Sequence, residues 1–229
     1  MEAWLWIGVA GMALGVISIA WLTIQSPEGE RHHGVTSLFV CLIAMIAYLA
    51  MAFGQGSVEI DGKEVFVARY IDWVLTTPLL LLGLLTLGLA PLARGGDVRN
   101  RNALIAGVLG ADVVMIVTGF LATVSPLDAQ KWVWFGISCL AFFYVIRTLW
   151  GPVYKEAVKN KTGGLYIKLL GVLSLLWFVY PVLWVLGTEC TDTISLNAEV
   201  GVYAVIDVTA KVLFGLMLVA GSSMLAKKK

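Results

Sequence analysis

The stretch Ala204-Val-Ile-Asp207-Val-Thr-Ala-Lys211-Val-Leu-Phe-Gly215 sets a lysine in the middle of the last long apolar run, four residues after an aspartate. A bare ammonium at bilayer depth is costly, so an intramembrane lysine marks function by default. Helix positions four apart stack on one face about 6 Å apart along the axis, so Asp207 and Lys211 can share one buried polar site. A lysine amine in an apolar pocket is also the nucleophile that condenses with an aldehyde to give a Schiff base. The plainer reading of the pair is a structural ion pair between helices.

Around this run, 59% of the 229 residues are hydrophobic and only 14% are charged. A soluble domain carries about a quarter charged residues, so the chain reads as an integral membrane protein. Seven apolar runs are long enough to cross a bilayer, at residues 4–24, 35–53, 67–89, 104–124, 132–149, 165–186 and 200–225. The connectors are short, and residues 1–229 are expected to form a single all-α domain, a seven-transmembrane-helix bundle. No basic region precedes the first run, which is long enough to span, so a cleaved signal peptide is not expected. Cys41, Cys139 and Cys190 fit neither a disulfide framework nor metal-ligand spacing, and read as packing residues.

Twelve of the sixteen Lys and Arg residues fall on one side of the spans: Arg31, Arg94, Arg99, Arg101, Arg147, Lys155, Lys159, Lys161, Lys168 and Lys227 to Lys229. Lys63 and Lys131 fall on the other, with Glu2, Glu59, Asp61, Glu64, Asp128, Glu189, Asp192 and Glu199. The positive-inside rule then places the amino terminus outside and the carboxyl terminus in the cytoplasm of a multi-pass cell-membrane protein.

Asp72, Asp112 and Asp207 fall inside spans, with Arg69 and Lys211, an ionisable set too large for a passive bundle. Arg69, Asp72 and Thr76 share one helix face, and Pro78 follows where it would loosen the backbone. If Lys211 carries a protonated Schiff base, Asp72 and Asp207 are its counter-ions, and Arg69 would balance the two acids. Asp112 is expected to hydrogen-bond the Thr77 hydroxyl across helices, and Thr76 can simply bond back to its own helix. In the sixth run Trp177, Tyr180 and Trp184 form one aromatic stripe interrupted by Pro181. Such a stripe is usually core, but facing Trp73 and these charges it suggests a slot for a long, flat, apolar chromophore.

Taken together, Ala68-Arg-Tyr-Ile-Asp72-Trp-Val-Leu-Thr76-Thr-Pro-Leu-Leu-Leu-Leu82, Trp177-Phe-Val-Tyr-Pro-Val-Leu-Trp184 and Asp207-Val-Thr-Ala-Lys211 resemble a microbial (type 1) rhodopsin, close to the bacteriorhodopsin-like proton pumps. The resemblance spans all seven helices. It implies all-trans-retinal joined to Lys211 as a Schiff base, Asp72 as primary proton acceptor, Asp207 as second counter-ion, Arg69 as a gated arginine and Thr76 as hydroxyl partner of Asp72. Trp73, Thr77, Leu80, Met115, Gly119, Ser138, Phe142, Trp177, Tyr180, Trp184 and Ala210 match pocket positions, Phe135 stands where the family has tryptophan, and Tyr48 matches a pocket-edge tyrosine. Glu189 and Glu199 fall where the family keeps an extracellular proton-release pair. The partners implied are protons, internal water and the lipid bilayer, with no nucleic acid, and relatives form homo-oligomers, trimers or pentamers.

Gly83 departs from the usual pattern. It lies eleven residues after Asp72, about 16 Å deeper on the same face, where the family's internal proton donor is a carboxylic acid. The triplet is Asp72, Thr76, Gly83, found in a minority of bacterial pumps. With no side chain, Gly83 is expected to leave room for water leading to the cytoplasm, with Cys41 and Asp112 as alternative donors. The helix-two histidine of proteorhodopsins is not found; His32 and His33 read as solvent-exposed residues of the first connector. The leading expectation is a light-driven outward proton pump, an ion transporter and not an enzyme. A photosensor signalling through a partner protein is the alternative, since sensors often lack the donor acid. An acid at position 72 opposes a chloride pump, and the short connectors oppose a retinal-free receptor.

Overall fold

In hydrocarbon every backbone N–H and C=O needs an internal partner, so apolar segments of this length resolve into helices. The structure is a computed structural model describing residues 1–60, 62–89 and 98–227, with side chains from Asn100 onward in the last stretch. Asp61, Arg94, Lys228, Lys229 and the Arg99 side chain, all used above for orientation, lie outside the described residues. Seven helices are long and apolar enough to cross a membrane. They are α1 (Glu2–Gln25), α2 (Arg31–Ala52), α3 (Val67–Gly88), α4 (Val98–Thr123), α5 (Asp128–Lys159), α6 (Gly163–Leu186) and α7 (Leu196–Ala226). Between α2 and α3, β1 (Val58–Ile60) and β2 (Lys63–Val65) pair antiparallel, with Val58 opposite Val65.

Consecutive helices pack side by side, and α7 closes the ring against α1 and α2 while also touching α3 and α6. α3 and α7 are the most buried spans, α4 and α5 the least, so the polar segments read above stand at the centre and the lipid faces lie outside. α1 approaches its neighbours closely through small residues, the usual device where lipid gives helices no hydrophobic drive to associate. A Cβ on Gly11 would lie 2.8 Å from Val208 of α7, and one on Gly8 would overlap the Tyr48 ring of α2.

Three helices carry irregularities at expected or unexpected places. α7 forms a π-turn over Thr209–Leu213, centred on Lys211. α5 runs ten residues past the expected end at Leu149, because Pro152 is absorbed in a π-turn over Leu149–Val153. There the Tyr166 hydroxyl of α6 donates to the Leu149 carbonyl at 3.0 Å. α6 breaks at Phe178, between Gly163–Trp177 and Val179–Leu186, just before Pro181 removes the N–H that the Trp177 carbonyl needs.

The first connector corrects an expectation. A short 3-10 turn, Glu28–Glu30, leads straight into α2, so His32 and His33 belong to its first turn. His32 is exposed, but His33 is buried at 3% exposure on the same face as Ser37.

Candidate functional site: a buried lysine between two carboxylates

Lys211 is 2% exposed, and its Nζ donates to Asp72 Oδ2 at 2.5 Å and to Asp207 Oδ1 at 3.2 Å. The helix spacing predicted Asp207 and Lys211 on one face; only packing brings α3 and Asp72 to the other side of the amine. Asp207 is further held by the hydroxyls of Tyr48 and Tyr180, each at 2.7 Å, and by Trp73 Nε1 at 3.3 Å. An ionised carboxylate can be kept in an apolar interior only when donors surround it in this way. Asp72 has fewer: its Oδ1 has no hydrogen-bond partner among the described residues. The Thr76 hydroxyl donates to the Asp72 main-chain carbonyl at 2.8 Å, back-bonding its own helix. Thr77 donates to Asp112 Oδ2 at 2.7 Å, the interhelical bond read from the sequence.

A cavity with about 820 Å³ of empty space, its mouth included, reaches Lys211. Trp73, Thr77, Leu80, Met115, Gly119, Phe135, Ser138, Phe142, Trp177, Tyr180, Trp184, Ala210 and Lys211 all line it. Phe135 stacks on Trp184 with ring centroids 4.5 Å apart, and Trp73 meets Tyr180 edge-on at 5.1 Å, so the walls are flat aromatic faces. Tyr48 stands behind, reaching the site through Asp207. Sequence reasoning missed Tyr70, Ile116, Cys139, Pro181 and Tyr203 in the lining. Tyr203 had a signal, since it lies four residues before Asp207 on the same helix face.

The close ion pairs of Arg69 are with two glutamates. Its Nη1 is 3.3 Å from Glu199 Oε1 and 3.9 Å from Glu189 Oε1, and its guanidinium lies over the Tyr203 ring at 4.2 Å. Glu199 also accepts from the Thr188 N–H and hydroxyl at 2.8 and 2.9 Å. Gly187 makes room for this, because a Cβ there would lie 2.6 Å from Glu199 Oε2. Glu189 accepts from the Tyr70 hydroxyl at 3.1 Å, and Tyr70 and Trp184 Nε1 both reach Thr123 Oγ1 at 2.7 Å, linking this cluster to the cavity wall. Burial pushes the Glu189 carboxyl up to about 7, against the pull of Arg69 and with the repulsion of Glu199. Four buried carboxylates, Asp72, Asp207, Glu189 and Glu199, thus face two buried cations, Lys211 and Arg69.

On the far side of Lys211, Gly83 leaves no open space of the kind expected. A Cβ there would lie 2.8 Å from Leu218 Cδ2, and Leu84, Leu85, Phe214 and Leu218 are almost fully buried around it. An apolar α7 side chain fills the room that the missing one leaves.

A seven-helix bundle closed around a lysine, its two acids and an aromatic slot defines a rhodopsin-type membrane protein. The chain belongs to the bacteriorhodopsin-like family, whose model matches residues 1–225. It is similar to the thermophilic rhodopsin of Rubrobacter xylanophilus, with 42% identity and a TM-score of 0.91 over 98% of this chain and 96% of that one. The light-driven proton pump rhodopsin of Coccomyxa subellipsoidea shares 36% identity and a TM-score of 0.86, covering 96% and 95% of the two chains. Sensory rhodopsin-2 of Natronomonas pharaonis is 33% identical over 92% of this chain and 84% of its own. Pumps and sensors both stand among the relatives.

Proposed function

We propose that residues 1–229 work as one unit, a light-driven outward proton pump with retinal joined covalently to Lys211. The site fits that group: a slot of aromatic and aliphatic walls reaches a single buried amine, whose charge two carboxylates match. Bound there, retinal would supply light absorption and a change of shape that alters the basicity of the attached nitrogen. Asp72 receives the proton held on Lys211 Nζ, its Oδ2 being already 2.5 Å away, while Asp207 stays fixed by its three other donors. A neutral Asp72 no longer attracts Arg69, whose guanidinium then draws closer to the carboxylates of Glu199 and Glu189. The added positive field favours loss of the proton that burial retains on Glu189, and a proton leaves on that face. The break at Phe178 and Pro181 gives α6 a hinge for opening the opposite face.

The short contact between Lys211 and Asp72, with Arg69 paired to two buried glutamates, is the observation that carries this reading. The basic residues Arg31, Arg101, Arg147, Lys155, Lys159, Lys161, Lys168 and Lys227 support a cytoplasmic carboxyl terminus and outward release on the Glu189 face. A sensor acting through a partner is the second reading, favoured by Gly83 and by the similarity to a sensory rhodopsin. Illumination separates them. Cells expressing the chain with retinal are expected to acidify their medium in light, reversibly with a protonophore, while Lys211→Ala stays colourless and inert. A coloured protein that moves no protons would overturn the pump reading, and a coloured Lys211→Ala variant would overturn the linkage.

A further inference from the structure

Every residue that α3 and α7 contribute to the aromatic slot is buried, whereas the lining residues left half-buried belong to α4, α5 and α6. Two seams run through that side. The one between α4 and α5 is shut, because the two backbones run close together along their length. There the Ser138 hydroxyl donates to the Met115 carbonyl at 2.8 Å, and a Cβ on Gly119 would lie 3.4 Å from Ser138 Oγ. The seam between α5 and α6 is built differently. Over Asp128–Thr148 the α5 backbone keeps its distance from α6, and the two helices meet through long aromatic side chains.

On α5, Trp132, Gly136, Cys139 and Phe143 fall at i, i+4, i+7 and i+11, a single helix stripe. Both ends of the stripe reach α6: Trp132 meets Trp184 and Phe143 meets Phe178, each with ring centroids 6.4 Å apart. Rings attract over roughly 4.5 to 7 Å, so these two contacts are loose. Between them a Cβ on Gly136 would find no atom of the described residues within 4 Å. Cys139, the next residue of the stripe, lines the slot, and so does Pro181, which lies between Phe178 and Trp184 on α6. The seam thus has rings at its two ends and a gap at its middle, opening into the cavity that reaches Lys211. Gly136 and Cys139 lie about 12 and 16 Å along α5 from Asp128, and the hydrocarbon core is about 30 Å thick, so the gap faces acyl chains and not water. One edge of it rests on Phe178, where α6 breaks.

We infer that this gap is a lateral port, through which retinal dissolved in the bilayer enters the slot and reaches Lys211. The inference rests on the reading that retinal joins that lysine. A flat apolar polyene is driven out of water into the hydrocarbon phase, and so meets the chain at the depth of the port. Trp132, Phe143 and Phe178 are exposed on the outer surface, where their rings can turn aside without disturbing the core. The other approaches are closed. Leu84, Leu85, Phe214 and Leu218 fill one end of the bundle, and Arg69 with its two glutamates fills the other. Along α1, Gly8 and Gly11 draw the helix against Tyr48 and Val208 and leave no passage.

The test uses the full chain, expressed without retinal and placed in phospholipid vesicles. All-trans-retinal is delivered into the bilayer at concentrations where its transfer no longer limits, and the rise of the visible band is timed. Gly136→Phe is expected to slow the rise about tenfold with the same final absorbance, because a ring in the gap raises the barrier and leaves the loaded state alone. Trp132→Ala, which widens the gap, should speed it severalfold. Gly110→Phe sets the same ring on the exposed face of α4, where a Cβ also finds nothing within 4 Å among the described residues, and should leave the rate unchanged. Unchanged kinetics in Gly136→Phe, or equal slowing in Gly110→Phe, overturns the port. Should Gly136→Phe not fold, an unchanged rate in Trp132→Ala overturns it. No colour from the unsubstituted chain overturns the retinal reading, and the port falls with it.

Discussion

At Glu189 burial and charge act against each other, and the balance can be read from outside. Its carboxyl sits at about 7 where the ordinary value is 4.5, so the folded chain binds that proton more tightly than the unfolded one. The resulting stabilisation is fully present below pH 4.5 and is lost as pH rises through about 7. Thermal unfolding in detergent should therefore occur at lower temperature at pH 8 than at pH 5, by an amount worth about 3 kcal/mol at most. Glu189→Gln, which holds its hydrogen at every pH, should flatten that part of the profile; an unaltered slope would assign it to other groups. The same cluster shows what sequence leaves hidden at this scale. Lys211, Asp72 and Asp207 stand out because charge in an apolar run is conspicuous. Tyr70, Thr123 and Tyr203 do not, because a hydroxyl in a helix looks alike whether it bonds its own turn or a neighbour's side chain.

Among the helices, spacing fixes which residues share a face, and packing fixes what that face meets. The stripe of Trp177, Tyr180 and Trp184 was legible as one surface, and it lines the cavity as one surface. The π-turn at Lys211 was not legible, since nothing in Thr209-Ala-Lys-Val-Leu213 demands a fifth residue in the turn. α1 contributes no charge to the site yet controls it through Gly8, whose missing side chain admits the Tyr48 ring. Gly8→Ala should displace that ring and weaken its 2.7 Å bond to Asp207. The expected cost is about 2 kcal/mol, seen as a lower unfolding temperature, and with retinal joined to Lys211 as proposed the visible band should shift because Asp207 loses a donor. A variant that keeps both unchanged would mean that α1 yields instead of Tyr48.

Over the whole bundle, the buried charges form a column from Lys211 through Arg69 to Glu189, offset toward the β1–β2 end, while the other half is closed by leucines. That asymmetry gives the proposed transport its direction, and orientation in the membrane then decides inward or outward. Cys190 reports on it: it lies past α6 on the Glu189 face, partly exposed, whereas Cys41 is buried. A membrane-impermeant maleimide added to intact cells should label Cys190, at mildly alkaline pH because burial raises its thiol, and Cys190→Ser should abolish the label. Labelling only after lysis would reverse the assignment. The amino-acid sequence by itself determined the seven spans, their alternation and the ionisable residues that the membrane would hold, because transfer from water to hydrocarbon is decided residue by residue along the chain. Only the tertiary structure decided that Arg69 turns toward the glutamates, that Leu218 fills the space beside Gly83 and that His33 is buried. Those outcomes depend on which side chains from distant helices reach the same few ångströms first, and no local pattern encodes that competition.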